Sequence, residues 1–230
     1  LSSGSDITDR KRMEMVQSVL FEISEATNLS GSLEELLATI HTILGKLIDT
    51  TNFYVALYDA SQDRYTFPYL VDEYHRHADL PPEELKKTLN DYVRRTGLPL
   101  LADEVTDDEL RASGQLDIVG QPSKVWLGVP LITSQGVIGV VAVQSYTDAT
   151  LYQESDMDLM TFVSRHITMA IERKVAEEAL RESEEHFRSL VETMSEGLVV
   201  RGYENVITFA NKTFCEMFGY SIAEVVGSNL

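Results

Sequence analysis

Two histidines in the middle of the sequence are the first candidates for chemistry. His75 and His77 lie two residues apart in a stretch that also contains Asp72, Glu73 and Asp79. Imidazole and carboxylate groups are common metal ligands. Because no third ligand follows at a spacing typical of a metal site, we interpret this stretch as a solvent-facing loop and predict no metal there.

A cluster of acidic residues follows further along the chain. Its members are Asp103, Glu104, Asp107, Asp108 and Glu109. Carboxylate oxygens are the ligands that divalent cations such as Ca²⁺ prefer. The cluster lacks the glycine and the ligand spacing of a calcium-binding loop, so we interpret it as a solvated acidic surface.

The short motifs that position a nucleophile or a phosphate are missing from the sequence. It contains no Gly-x-Ser-x-Gly turn, no glycine-rich phosphate loop and no His-Glu-x-x-His helix. His166 stands in a helical pattern, without the neighbours that mark a phosphoacceptor histidine. We therefore predict no catalytic residue and no enzymatic activity for this chain.

Composition and charge exclude several classes of partner. Lys and Arg number 19 against 37 Asp and Glu, which gives a net charge of −18. Such a field repels nucleic acid and anionic membrane surfaces, and we predict contact with neither.

The single cysteine, Cys215, excludes an internal disulfide and fits a reducing compartment. No apolar run approaches the roughly 18 residues of a membrane helix. We predict a cytoplasmic location, although a longer parent protein could be membrane-anchored elsewhere.

Two amphipathic helices are predicted at the start of the chain. Between Asp9 and Ala26 the apolar residues Met13, Val16, Leu20 and Ile23 step by three and four, which is typical of a coiled-coil or bundle face. Ser32, followed three residues later by Glu35, forms a capping box that predicts a second helix from Leu33 to Leu47.

Two β-hairpins and a long helix complete the predicted domain. The hairpins pair Phe53–Tyr58 with Tyr65–Val71 and Val125–Thr133 with Val137–Tyr146. The intervening residues 72–124 are mostly irregular, which is typical of a functional loop. Within them we predict a helix around Leu85–Arg95 that stops at Gly97, a short strand at Leu98–Ala102 and a helical turn at Asp107–Ser113. A helix is predicted from Glu154 to Met194. The apolar stripe along this helix shifts to a different phase at 171–175. The fold class is therefore α+β, with helices packed on an antiparallel sheet.

Residues 13–173 resemble a GAF domain of bacterial sensor kinase-type signalling proteins. The resemblance is carried by Phe53–Asp59 (FYVALYD), Tyr92–Leu100 (YVRRTGLPL), Pro122–Leu131 (PSKVWLGVPL) and Val137–Tyr146 (VIGVVAVQSY). Residues 1–12, with Asp6–Arg12 (DITDRKR), look like the end of a preceding PAS domain; a charged helix start is the alternative.

The other end of the chain resembles a PAS domain as well. Residues 195–230 look like the N-terminal half of one, and residues 174–194 like a coiled-coil linker helix that leads into it. The matching residues are Phe187–Leu190 (FRSL), Asn211, Phe214, Gly219, Tyr220, Ser221, Glu224 and Gly227.

The GAF resemblance implies a small-molecule pocket between the sheet and residues 72–124. The candidate lining residues are Tyr54, Phe67, Tyr69 and Trp126, and Gly128 permits a close backbone approach near the last of them. Aromatic side chains on strands are also common in plain cores, so a sealed core is the alternative.

The resemblance also argues against three known cofactors. Phytochrome-type GAF domains attach their bilin to a cysteine inside the domain, and Cys215 lies beyond it. The Asn-Lys pair of cyclic-nucleotide-binding members is replaced by Gln144-Ser145. A flavin adduct needs a cysteine after Gly-x-Asn, where this chain has Leu230. The ligand therefore stays unknown.

These features together predict a sensory input module of a larger signalling protein. Its helices are expected to pair in a parallel homodimer, with a seam made of Met13, Val16, Leu20, Ile23, Val163 and Ile167. A histidine kinase is the parent implied first, and a diguanylate cyclase is the alternative. A GAF domain that senses nothing and serves as a dimerising spacer is the competing hypothesis.

Overall fold

The computed structural model describes residues 3–29, 32–74, 86–117 and 121–229, with the side chains of the first helix described from 14 to 27. His75 and His77 lie outside the described residues. The chain divides into two compact units, Leu1–Arg173 and Lys174–Leu230. Among the described residues, no helix is both long and apolar enough to span a bilayer.

The first unit is built on one five-stranded antiparallel sheet. The strands are β1 (Phe53–Asp59), β2 (Arg64–Val71), β3 (Leu100–Asp103), β4 (Val125–Thr133) and β5 (Gly136–Ser145). Their spatial order is β2-β1-β5-β4-β3, so the two predicted hairpins lie side by side, and β2 and β3 form the edges. This confirms the predicted α+β class.

Five helices within the described residues accompany this sheet, and local signals explain several of their ends. The Ser32 hydroxyl accepts a hydrogen bond from the Glu35 amide at 3.2 Å, so the predicted N-cap is confirmed. Gly97 ends the third helix in the left-handed conformation, at φ 67°. The helices are α1 (Ser3–Leu29), α2 (Leu33–Leu44), α3 (Leu89–Thr96), α4 (Glu104–Ala112) and α5 (Glu154–Thr193).

The main core corrects half of the predicted dimer seam. Ile23, Val163 and Ile167 are fully buried in the chain's own core, with α2 and the inner face of the sheet. They are not available to a partner. An amphipathic stripe shows that a helix face is buried but not what covers it, and here the chain itself covers it.

The other seam residues fall into two groups. Val16 and Leu20 are half-buried and line an apolar groove of about 280 Å³, together with Leu159 and Phe162 of α5. The side chain of Met13 lies outside the described residues. The structure therefore removes three of the six seam residues and leaves the homodimer itself untested.

The apolar residues of α5 change their surroundings at Arg173. Met160 and Val163 are fully buried in the first unit, whereas Leu180 and Phe187 of the second unit are each 62% exposed. The predicted phase shift at 171–175 thus coincides with the boundary between the two units. Met160 and Val163 thus belong to the core of the first unit, whereas Leu180 and Phe187 lie on the surface of the second unit.

The second unit holds a short hairpin and two short helices around a small core. Asn211 is its fully buried polar centre: its side chain donates to the Val191 and Glu196 carbonyls and accepts from the Leu198 and Phe214 amides. Cys215 is buried beside it. The elements are β6 (Val199–Arg201), β7 (Ile207–Ala210), α6 (Lys212–Phe218) and α7 (Ile222–Val225).

Candidate functional site

The outer face of the sheet in the first unit carries a cavity of about 120 Å³. Tyr54 of β1, Phe67 of β2 and Trp126 of β4 line it, and the Tyr54 and Phe67 rings meet edge to face with centroids 5.8 Å apart. Three of the four candidate pocket residues are therefore brought together. A site of this kind, with aromatic walls and a few polar groups, suits a small organic molecule.

Trp126 forms the floor of this cavity because of the residue two positions further along β4. A Cβ atom built on Gly128 would lie 1.9 Å from Cη2 of the indole. The ring therefore lies directly against the backbone of residue 128, at a distance that only glycine permits. Its Nε1 donates to the Tyr54 hydroxyl at 2.8 Å, and that hydroxyl donates to Oδ1 of Asn90 at 3.2 Å. Burial raises the pKa of Tyr54 to about 12, so the hydroxyl stays protonated and keeps donating.

The fourth candidate, Tyr69, was assigned to the wrong face of the sheet. Its ring contacts Phe53 and His41 on the inner side, and its hydroxyl lies 2.9 Å from Nδ1 of His41. Tyr69 thus packs against the main core and does not line the cavity.

A β-bulge in β2 explains this error. Val55 of β1 pairs with Tyr69, but Leu57 pairs with Thr66, so β2 contains one extra residue between the two pairs. The extra residue falls at Phe67 and Pro68, on the outermost strand of the sheet, where a proline is tolerated. The bulge interrupts the alternation of side chains, so Phe67 and Tyr69 face opposite sides.

A polar wall of the cavity comes from residues that the sequence analysis did not select. Gln144 Nε2 donates to Asp72 Oδ2 and to the Tyr146 hydroxyl, at 2.7 Å each, and Tyr146 donates to Asp72 at 2.9 Å. Burial and the neighbouring Asp72 carboxylate raise the pKa of Tyr146 above its ordinary value. Gln144 lies on β5, and Tyr146 directly follows its last residue. Because alternate residues of a strand face the same side, their spacing of two indicates in the sequence that they share a face.

Helix α4 contributes an ion pair to the opposite wall. Arg111 Nη2 lies 2.5 Å from Asp107 Oδ2, one helical turn away, and both side chains line the cavity. Burial raises the pKa of Asp107, even though Arg111 acts in the opposite direction. The Nε atom of Arg111 is buried and has no hydrogen-bond acceptor among the described residues.

The acidic cluster around α4 has several separate roles. Asp103 caps the helix by accepting from the Thr106 amide at 2.8 Å, and Glu104 pairs with Lys124 at 2.6 Å. Within the described part of the chain, no group of three His, Cys, Asp or Glu side chains is arranged to hold a metal ion.

Comparison with known families follows the same division of the chain. The profile of the GAF domain family matches residues 30–172, and a PAS domain profile matches residues 185–230. A search of curated proteins finds no match.

Solved structures share the fold of the first unit. The GAF domain of a phosphoenolpyruvate-protein phosphotransferase from Coxiella burnetii is 16% identical, with a TM-score of 0.59, over 73% of this chain and 98% of that chain. The corresponding Acinetobacter domain is 17% identical, with a TM-score of 0.53, over 72% and 95%. Free methionine-R-sulfoxide reductase from Neisseria meningitidis, solved with its substrate, is 15% identical, with a TM-score of 0.54, over 68% and 88%.

At these identities the solved structures show the fold alone. The GAF profile, however, covers more than half of the chain, and it spans the sheet that carries the cavity. The chain therefore belongs to the GAF domain family, a family of sensory and regulatory modules, and its second unit carries a PAS domain match.

Proposed function

We propose that the first unit is a sensor that binds a small molecule in the cavity of its outer sheet face. The observation that carries the proposal is the cavity itself, which has Trp126 as its floor and polar groups on two walls. The succession of GAF and PAS domains suits the input region of a cytoplasmic signalling protein. A histidine kinase is the proposed parent, and a diguanylate cyclase is the alternative.

The walls of the cavity favour a sensor over a dimerising spacer. Trp126 is only 2% exposed, as it would be in a sealed core. Beside it, however, are the hydrogen-bonded set Asp72, Gln144 and Tyr146 and the Arg111 guanidinium. Polar groups lose their hydration when they are buried, and a spacer has no need of them at this position.

Binding can be detected through Trp126, which is the only tryptophan of the chain. We expect members of a library of small fragments, including acids, amines and amides, to change its fluorescence and to raise the melting temperature. Ligands that bind only the folded state stabilise it by mass action. Mass spectrometry of small molecules that copurify with the chain would identify the natural ligand.

A cavity-filling variant provides the control for this experiment. Leu70→Phe places a larger side chain on the cavity wall, whereas Val71→Phe makes a similar change at an exposed position of the same strand. Fragments should stabilise the parent and Val71→Phe but not Leu70→Phe. If no fragment stabilises the parent, or if Leu70→Phe responds as the parent does, the proposed binding site is wrong.

We also propose that a second copy of the chain pairs with the first through the α5 segment of the second unit. Leu180, Phe187 and Leu190 of this segment are exposed apolar residues, at 62%, 62% and 53% exposure, and Met194 directly after the segment is 42% exposed. Their spacing of seven, three and four residues is that of a coiled-coil seam. Identical stripes on two parallel copies would cover each other, and a change in the sensor could then alter the pose of the pair.

Charge substitutions test this revised seam. Leu180→Glu combined with Phe187→Glu places unpaired charges in the seam, at a cost of several kcal/mol, and should convert a dimer into monomers in sedimentation experiments. Ser189→Glu introduces the same side chain on the opposite side of the helix and should leave the dimer intact. A monomeric parent at high concentration, or a double variant that remains dimeric, would contradict the proposal.

A further inference from the structure

The guanidinium of Arg111 has more hydrogen-bond donors than the described protein uses. Its Nη2 binds Asp107, but Nε is buried without an acceptor among the described residues. Buried polar atoms almost always have a partner in folded proteins. Since Arg111 lines the cavity, the missing acceptor is most simply supplied by a ligand.

The carboxylates around the cavity, by contrast, already have donors. Asp72 accepts from Gln144 and Tyr146, and Asp107 accepts from Arg111. The third, Asp117, lies 3.6 Å from the ammonium group of Lys87. Among the described lining residues, the buried side-chain atom left without a partner is thus a donor, Nε of Arg111, which favours a ligand that brings an acceptor oxygen.

The shape of the cavity limits the size and the body of that ligand. Phe67, Leu70, Leu89 and Trp126 form its apolar walls. At about 10–15 Å³ for each water-sized position, a volume of about 120 Å³ admits roughly ten non-hydrogen atoms. One guanidinium among three carboxylates suits one negative charge better than the two charges of a phosphate ester.

From these observations we infer that the cavity binds a small organic carboxylate, with its apolar or aromatic body on Trp126 and its carboxylate on Arg111. The inference rests on the proposed sensor function and adds the chemical class of the ligand. Guanidinium and carboxylate are complementary, because two parallel N–H groups can donate to the two oxygens.

The position of Arg111 also connects ligand binding to a movable element. No residue of helix α4 is fully buried, so few contacts hold the helix to the sheet. A carboxylate held by Arg111 and lying against Trp126 would tie α4 to the floor of the cavity. Binding should therefore slow amide hydrogen exchange in residues 104–112.

The test compares ligands of one size that differ in charge. Benzoate and phenylacetate are the acids, benzamide is the neutral analogue and benzylamine is the cation, and the full chain is titrated through Trp126 fluorescence. We expect the acids to bind about tenfold to a hundredfold more tightly than benzamide, as for a charged hydrogen bond, and to protect residues 104–112. Benzylamine should bind more weakly still.

Variants of Arg111 provide the second arm. Arg111→Gln should reduce binding of the acids to the level of benzamide, and Arg111→Lys should retain part of it. Arg64→Gln, the same change at an exposed position of β2, should have no effect.

The outcomes distinguish this inference from the proposed function. If benzamide or benzylamine binds as tightly as the acids, or if Arg111→Gln binds the acids normally, the carboxylate inference is wrong and the sensor proposal stands. If no compound of any charge binds, both fail. The comparison of acids with amides needs no variant, so it holds even if Arg111→Gln does not fold.

Discussion

Replacing Gly128 by alanine should lower the free energy of unfolding by about 3 kcal/mol, at the upper end of overpacking costs, and should abolish fragment binding. The new Cβ would lie 1.9 Å from Cη2 and 2.5 Å from Cζ2 of Trp126. Because the indole is almost fully buried beneath the cavity, it can move only into the cavity or by displacing its neighbours. The ring must leave its site and lose its hydrogen bond to Tyr54, or β4 must move.

Urea denaturation and Trp126 emission measure the two parts of this effect. The emission should shift to the red if the indole becomes exposed to water. Trp126→Leu removes the obstacle, so alanine at position 128 should cost much less in that background than in the parent. This non-additivity is the signature of a direct contact. An unchanged melting temperature and emission in Gly128→Ala would show that the cavity floor is not built as described.

Removing the Asp91 carboxylate should destabilise the first unit by about 3 kcal/mol at neutral pH, since it leaves a partly buried charge cluster unbalanced. This buried side chain accepts from Arg94 at 2.8 Å, from Arg95 at 2.9 Å and from the Tyr65 hydroxyl at 2.9 Å. The contacts join α3 to the outer face of the sheet, beside Asn90 of the cavity. Asp91→Asn keeps the size of the side chain and removes its charge.

The pH dependence of stability isolates this carboxylate. Burial alone raises the pKa of Asp91, but hydrogen bonds from Arg94, Tyr65 and Arg95 outweigh it and hold the pKa below its ordinary value. A carboxyl whose folded pKa is lowered contributes stability above its unfolded pKa of about 3.9, and this contribution is lost as pH falls through the folded value. The parent should therefore lose stability below about pH 4, and Asp91→Asn should lack this part of the loss.

Urea denaturation between about pH 3 and pH 7 measures the difference between the two proteins. Asp108→Asn, a change of an exposed carboxylate on α4, should follow the parent at every pH. Parallel curves for the parent and Asp91→Asn would show that the Asp91 cluster contributes nothing to acid sensitivity.

Local patterns in the sequence determined the elements and their order. The Ser32 cap, the two hairpins and the turn at Gly97 depend on residues within a few positions of one another, and each appears in the structure as predicted. The GAF resemblance is carried by contiguous stretches of the same kind. These signals are read along the chain, so a single sequence is enough to reveal them.

The cavity depended on contacts between distant parts of the chain. Asp72, Arg111 and Gln144 come from three separate segments, and only the folded sheet and α4 bring them to one site. The bulge at Pro68 moved Tyr69 to the other face, because one extra residue reverses the alternation of a strand.

The helix seams show the same limit in another form. The apolar spacing of Ile23 and Val163 correctly predicted buried faces, but burial within the chain and burial against a partner produce the same pattern. Only the tertiary structure decided that the chain's own sheet and α2 cover these residues. It also showed that Leu180 and Phe187 are exposed on the second unit, because no other described residue of that unit covers their side of the helix.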